Sequence, residues 1–156
     1  MHYFISNLAA LAPIFAKLEP NGHFMVTFLD GDAVFQHLIG EEQFLINENG
    51  KIKYSILKQY AETEKVNFTQ KILIKLPFAD EPYLEPLVYA AHLSEVCAGA
   101  GLRLIANFNL NMYGNFKFLS QNDADVTLPD LYNSFNALSE ADKLYVSLYK
   151  CMIFQK

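Results

Sequence analysis

Two hydrophobic periods alternate along the chain, and the changes between them divide it into elements. Leu8, Leu11, Phe15 and Leu18 recur at helical spacing and predict a helix with one apolar face, begun by Ser6 or Asn7 as a cap. Pro13 should kink or shorten that helix, because proline removes a hydrogen bond and clashes with the preceding turn. Pro20, Asn21 and Gly22 then supply a tight turn that admits left-handed backbone. In the run that follows, Phe24, Met25, Val26, Phe28 and Leu29 leave only Thr27 polar, which predicts a strand covered on both faces. The stretch from Lys17 to Asp32, KLEPNGHFMVTFLDGD, is therefore the centre around which the rest is arranged. Asp30, Gly31 and Asp32 fall where that strand should open into a loop, the place where open α/β sheets bind ligands.

Ala33 to Ile39 predicts a short helix closed by Gly40, and then the period changes to two. A short strand at Gln43 to Ile46 and a hairpin turn at Asn47 to Gly50 come first. Ile52, Tyr54, Ile56 and Tyr60 share one face of the next run, and Phe68, Ile72, Ile74 and Leu76 one face of the run after it. Joined by the polar AETEK segment, these two runs predict an antiparallel pair with one wet face.

Pro77 and Pro82 should end the pair, with Asp80 to Pro86 leading into a helix in which Pro86 occupies the first turn and Gly99 and Gly101 close the end. Leu102, Leu104, Ala106, Phe108 and Leu110 alternate with polar residues and predict a strand, and Asn111 to Val126 a loop. A short helix around Asp130 to Leu138, a capped turn at Ser139 to Asp142 and a last strand from about Val146 to Phe154 complete the chain. The series predicts a single α/β domain over residues 1–156, half of an open sheet with an antiparallel finish.

Composition narrows the function classes. With 156 residues, 52% of them hydrophobic, the chain can bury a real core. A net charge of −5 argues against a broad phosphate-binding surface, which needs clustered Lys and Arg. Cys97 and Cys151 have neither metal-ligand spacing nor disulfide-scaffold density, so no metal is expected and a reducing compartment is. The sequence carries no apolar run of the roughly 20 residues a membrane span needs and no signal-peptide pattern, so a cytoplasmic protein without a membrane partner is expected. It also carries no P-loop, GxGxxG turn, GxSxG elbow or zinc-spaced His pair. His23, His37 and His92 stand alone and suit packing or surface positions, and His2, Tyr3 and Phe4 form an aromatic cluster that composition alone assigns to core packing.

Four landmarks, in order, give that cluster another meaning. The HYF at His2 to Phe4, the helix followed by KLEPNGHFMVTFLDGD, the EPLV of Glu85 to Val88, and the closing LSEADKLYVSLYKCMIFQK together resemble the C-terminal half of an mRNA cap guanine-N7 methyltransferase. The type is that of eukaryotes and of the capping enzymes of large DNA viruses, with LSEADKLYVSLY closer to the viral branch. Asn21 replaces a glycine of the family's turn, Pro86 replaces an aromatic, and Leu29 stands where cellular enzymes carry proline beside the cap.

The resemblance implies the C-terminal half of a Rossmann-like class I methyltransferase sheet, with an inserted antiparallel hairpin and an antiparallel terminal strand. It implies S-adenosyl-L-methionine (AdoMet) as the family's cofactor, held mainly by a glycine-rich loop and an acidic residue that lie upstream of the His-Tyr motif and have no counterpart in these 156 residues. No catalytic side chain is implied. Guanine N7 is already a nucleophile, so catalysis is placement of the base. The residues implied to hold the cap guanine are Glu85, an acceptor for its N1 and N2 donors, and His2, Tyr3 and Tyr149 as aromatic walls. Read locally instead, Glu85 before Pro86 suits a helix start that favours the dipole, and Tyr149 alternates like any strand aromatic.

The partners implied are the mRNA 5′ cap and a polypeptide that completes the sheet, in the cytoplasm, a viral factory or a virion. Two functions follow: a half-domain that positions the cap guanine for methyl transfer, or a non-catalytic accessory subunit of a capping enzyme. An incomplete sheet exposes a strand edge, which predicts self-association or partner binding there.

Overall fold

The computed structural model describes residues 11–61, 65, 69–110 and 128–156. Helix α1 spans Ala12–Lys17, with Pro13 in its first turn, where a missing N–H costs nothing. Its orphan carbonyls are satisfied from far along the chain: the Lys156 ammonium donates to the carbonyls of Phe15, Ala16 and Leu18 at 3.1, 3.2 and 2.7 Å, a cation placed at the negative end of the helix. The turn after it takes the left-handed conformation at Asn21 (φ 66°) and leads into strand β1, His23–Leu29.

Strand β1 runs directly into helix α2, Gly31–His37. The loop expected at Asp30 to Asp32 does not form, because Asp30 is the helix N-cap, its carboxylate accepting from the Asp32 N–H at 3.2 Å. Strands β2 (Gln43–Glu48) and β3 (Lys51–Lys58) form a hairpin through Asn49 and Gly50, both at positive φ as a tight hairpin turn demands. A register shift between Ile46 and Asn47 precedes the turn, and Ile52, expected on the buried face, is 60% exposed on the turn side of it. Strand β4 is Lys71–Lys75 and strand β5 is Tyr83–Pro86.

Strand β5 replaces the expected helix start. Tyr83, Leu84 and Glu85 alternate in burial, and the strand pairs antiparallel with β4 through Ile72 opposite Glu85 and Ile74 opposite Tyr83. Pro86 is tolerated because β5 is an edge strand, with no further neighbour among the described residues to receive an N–H. The inserted hairpin is thus a four-stranded antiparallel sheet of order β2-β3-β4-β5.

Helix α3 (Ala90–Gly99) ends at Gly101, where φ is 81°, and strand β6 (Arg103–Asn109) follows with a shift between Leu104 and Ala106 that breaks its expected alternation. Helix α4 is Leu128–Asn136, and helix α5 is Glu140–Ser147. The cap predicted at Ser139 is there, its hydroxyl accepting from the Asp142 N–H at 3.2 Å, but it starts a full helix rather than a turn. Strand β7 accordingly begins at Tyr149 and runs to Gln155.

Strand β7 lies between β1 and β6 and is antiparallel to both, giving a three-stranded sheet of order β1-β7-β6. One face of this sheet packs against α1 and α3 through Phe15, Phe24, Val26, Phe28, Leu93, Cys97, Met152 and Phe154. On the other face Met25 is 54% exposed and Thr27 is exposed, and only Leu29 at the strand's end is buried, so most of β1 is covered on one side, against the expectation from its apolar run. Among the described residues β7 alone pairs along it, and the central, doubly covered strand is β7, four consecutive residues of which are buried. The second core lies inside the four-stranded sheet, where Ile46, Ile56, Ile72 and Ile74 meet Val34, Phe35 and Leu38 of α2 and Ala141, Tyr145 and Leu148 at α5.

Candidate functional site

The carboxyl end of β1 is where the two sheets are stitched together. Leu29 pairs with Tyr149, and the Asp30 N–H donates to the Leu148 carbonyl at 2.7 Å. Asp30 also bridges Val88 in parallel, and the Gly31 N–H donates to the Val88 carbonyl at 2.8 Å. Gly31 is required at that approach: a Cβ there would sit 2.7 Å from the Val88 carbonyl oxygen. The segment leaving β5 and the segment entering β7 are therefore fixed to the same point.

That stitching brings the Glu85 carboxylate within electrostatic reach of Tyr149. Glu85 lies on the inward face of β5, 3% exposed, and Tyr149 is half-buried at the first position of β7. Burial foremost, and also the Glu85 carboxylate, push the Tyr149 hydroxyl up, against a hydrogen bond with Tyr145 that lowers it. Tyr145 is raised by burial, by its bond to Tyr149 and by the charges of Tyr83 and Glu85. Glu85, Tyr83, Tyr145 and Tyr149 thus form one carboxylate–tyrosine cluster beside the end of β1. His2 and Tyr3 lie outside the described residues.

Tyr145 and Tyr83 were not singled out from the sequence. A signal existed for Tyr145, since it stands four residues before Tyr149 and i, i+4 residues meet on a helix face. Its hydroxyl lies 3.2 Å from that of Tyr149, and the two rings meet edge to face at 5.5 Å and 71°. The other face of Tyr145 stacks on Tyr54 of β3, 4.1 Å between centroids and 3° from parallel.

Tyr54 leads outward to an ionic clasp. Its hydroxyl donates to Asp142 at 2.5 Å, and burial together with that bond pushes it up to about 12. Asp142 takes the Lys53 ammonium at 2.8 Å and the Ser139 hydroxyl at 2.9 Å, and Lys53 also reaches Glu48 at 3.0 Å. Hydrogen bonds from Lys53 and Tyr54 hold Asp142 at about 2. The clasp ties β3 to the first turn of α5.

The acids of the Asp30 to Asp32 turn are already engaged. Asp30 pairs with Lys150 at 2.8 Å, both side chains mostly buried, and Asp32 pairs with Lys65 at 2.6 Å. The Lys65 ammonium lies 6.0 Å from the ring centres of both Phe35 and Tyr89. Among the described residues no group of three His, Cys, Asp or Glu could hold a metal ion, and no helix is long and apolar enough to cross a membrane. An open cleft of about 800 Å³, lined by Glu48, Lys53, Lys75 and Asp80 among others, lies at the other end of β4 from the Ile72–Glu85 pair.

The described residues form a mixed α/β domain with two antiparallel sheets. No family model and no curated protein sequence matches the chain. Among solved structures it is similar to the CcbJ methyltransferase from Streptomyces caelestis, with 14% identity and a TM-score of 0.46 over 94% of this chain and 48% of that one. The chain spans about half the length of that methyltransferase.

Proposed function

We propose that this chain is the cap-guanine-holding half of an mRNA guanine-N7 methyltransferase. What supports the proposal is that the Glu85 charge reaches the Tyr149 hydroxyl near the end of β1, although the two residues are far apart in sequence and on different sheets. The antiparallel β7 between β1 and β6 supports it too, as the terminal strand the sequence resemblance implies. In this reading the Glu85 carboxylate accepts the guanine N1 and N2 hydrogens, and the Tyr149 ring forms a wall that fixes the plane of the base. Holding the base in place is the whole of this chain's contribution, because N7 needs no activation.

The described residues do not fit AdoMet. At the end of β1 both acids are taken up by lysines, and the open side of Gly31 is filled by Val88 and Tyr89. In this reading the cofactor site belongs to another segment or polypeptide. A second reading, a non-catalytic accessory module, draws on the burial of Glu85, which suits a carboxylate that fastens β5 to the core.

Titration of the chain with the unmethylated cap analogue GpppG, and with ATP as a control, separates the two. A charged hydrogen bond is worth about 1.5–3 kcal/mol, so Glu85→Gln should weaken GpppG binding about 10- to 150-fold, an amide presenting a donor to a donor. Equal affinity for GpppG and ATP, or GpppG affinity unchanged in Glu85→Gln, refutes the cap reading and leaves the accessory one.

A further inference from the structure

We infer that Tyr145 is a positioning residue for Tyr149, locking its ring through the hydroxyl–hydroxyl contact and tying that lock to the inserted sheet through Tyr54. The inference rests on the guanine-binding reading of Tyr149 and adds a residue that no feature of the resemblance marks.

A tyrosine used as a wall must hold its ring plane, yet an aromatic at the first position of a strand has one side open to rotation. Tyr149 is half-buried, and its edge-to-face contact with Tyr145 fixes one edge of the ring. The hydroxyl contact at 3.2 Å adds the directional restraint that ring packing lacks. Tyr145 is itself held by its surroundings. It is buried at the end of α5, and its ring lies flat on Tyr54, whose hydroxyl is fastened to Asp142. Asp142 is in turn held by Lys53 on the strand that carries Tyr54. The series Lys53, Asp142, Tyr54, Tyr145, Tyr149 runs from the surface of the four-stranded sheet to the carboxylate–tyrosine cluster without a break. A pair of phenylalanines would pack as well, so the two facing hydroxyls serve orientation rather than burial.

Tyr145→Phe tests this with the least disturbance, since it keeps the ring stack on Tyr54 and removes the hydroxyl alone. GpppG affinity of the full chain should fall about threefold to tenfold, the scale of one neutral hydrogen bond. The decisive arm is the double-mutant cycle. In a Tyr149→Phe background the partner hydroxyl is already absent, and Tyr145→Phe should cost nothing further. Losses that add in the double variant overturn the inference, because a residue acting on its own through packing would be independent of the Tyr149 hydroxyl. Wild-type affinity in Tyr145→Phe alongside weakened binding in Tyr149→Phe overturns it as well, while the guanine reading survives. No preference of the wild-type chain for GpppG over ATP overturns the guanine reading, and this inference with it.

Discussion

Replacing Asp142 with asparagine tests whether the clasp between β3 and α5 holds the two sheets in register. Asparagine keeps an oxygen for the Tyr54 hydroxyl, but it turns an NH2 toward Ser139 and removes the negative charge that Lys53 approaches at 2.8 Å. The carboxylate is held at about 2 by the hydrogen bonds of Lys53 and then of Tyr54, against an ordinary value of 3.8. A depression of that size corresponds to roughly 2 kcal/mol favouring the charged, folded form. The Asp142 side chain is 23% exposed, so solvent screening brings the expected contribution to about 1 kcal/mol. Because the folded-state value is lowered, this stability is complete above the unfolded-state value and is lost as pH falls through about 2. At pH 7 the variant should melt lower by about 2–4 °C, the shift expected for 1 kcal/mol in a domain of this size. The gap to wild type should close between about pH 4 and pH 2. Glu48 is also lowered, foremost by its bond to Ser139, so the wild-type profile alone would mix two carboxylates. Thermal unfolding of both proteins across that range isolates Asp142. Equal stability at pH 7, or a gap that persists at pH 2, refutes the clasp as an energetic feature.

Two further outcomes follow from the stitching at the end of β1, and a third from the burial of the two thiols. Asp30→Ala leaves the mostly buried Lys150 ammonium without its carboxylate and should cost about 3–5 kcal/mol by urea denaturation, with an unchanged midpoint counting against it. Gly31→Ala drives a Cβ to 2.7 Å from the Val88 carbonyl oxygen, so separation of α2 from the segment after β5 should cost about 1–3 kcal/mol, and a variant as stable as wild type would show that this approach is slack. Cys97 and Cys151 are buried free thiols, burial pushing Cys97 up to about 11, so neither should react with a thiol-specific reagent at pH 7 until the chain unfolds; rapid labelling of the native protein would contradict the packing of both sheet faces.

What the sequence made legible was local, and what it hid depended on neighbours. The hairpin turn at Asn49 and Gly50 and the strands around it follow from period-two spacing and from residues that accept positive φ. The cap at Ser139 is local chemistry as well. Strand β1 misled because a run of apolar residues gives no sign of which side is covered. Phe24, Val26 and Phe28 are buried by α1 and α3, whereas Met25 faces out. Strand β5 misled because Pro86 fits a helix start and an edge strand equally well, and only the presence of β4 decides between them.

The same ambiguity governs the candidate site. Glu85, read as a helix-start carboxylate, would be solvated at a dipole. As the inward residue of β5 it is buried beside tyrosines instead, an environment in which a carboxylate is costly unless donors meet it. Tyr145 was hidden by a boundary placed near Val146. With the last strand starting there, the residue before it belongs to no face at all. With α5 running to Ser147, Tyr145 sits on the last helical turn, and its hydroxyl meets that of Tyr149 just past the helix end. The element boundary, more than the identity of any residue, decides whether the cluster can be seen. A helix ending at Ser147 makes Tyr145 the link through which the inserted sheet reaches Tyr149, and a strand beginning three residues earlier would have turned it away.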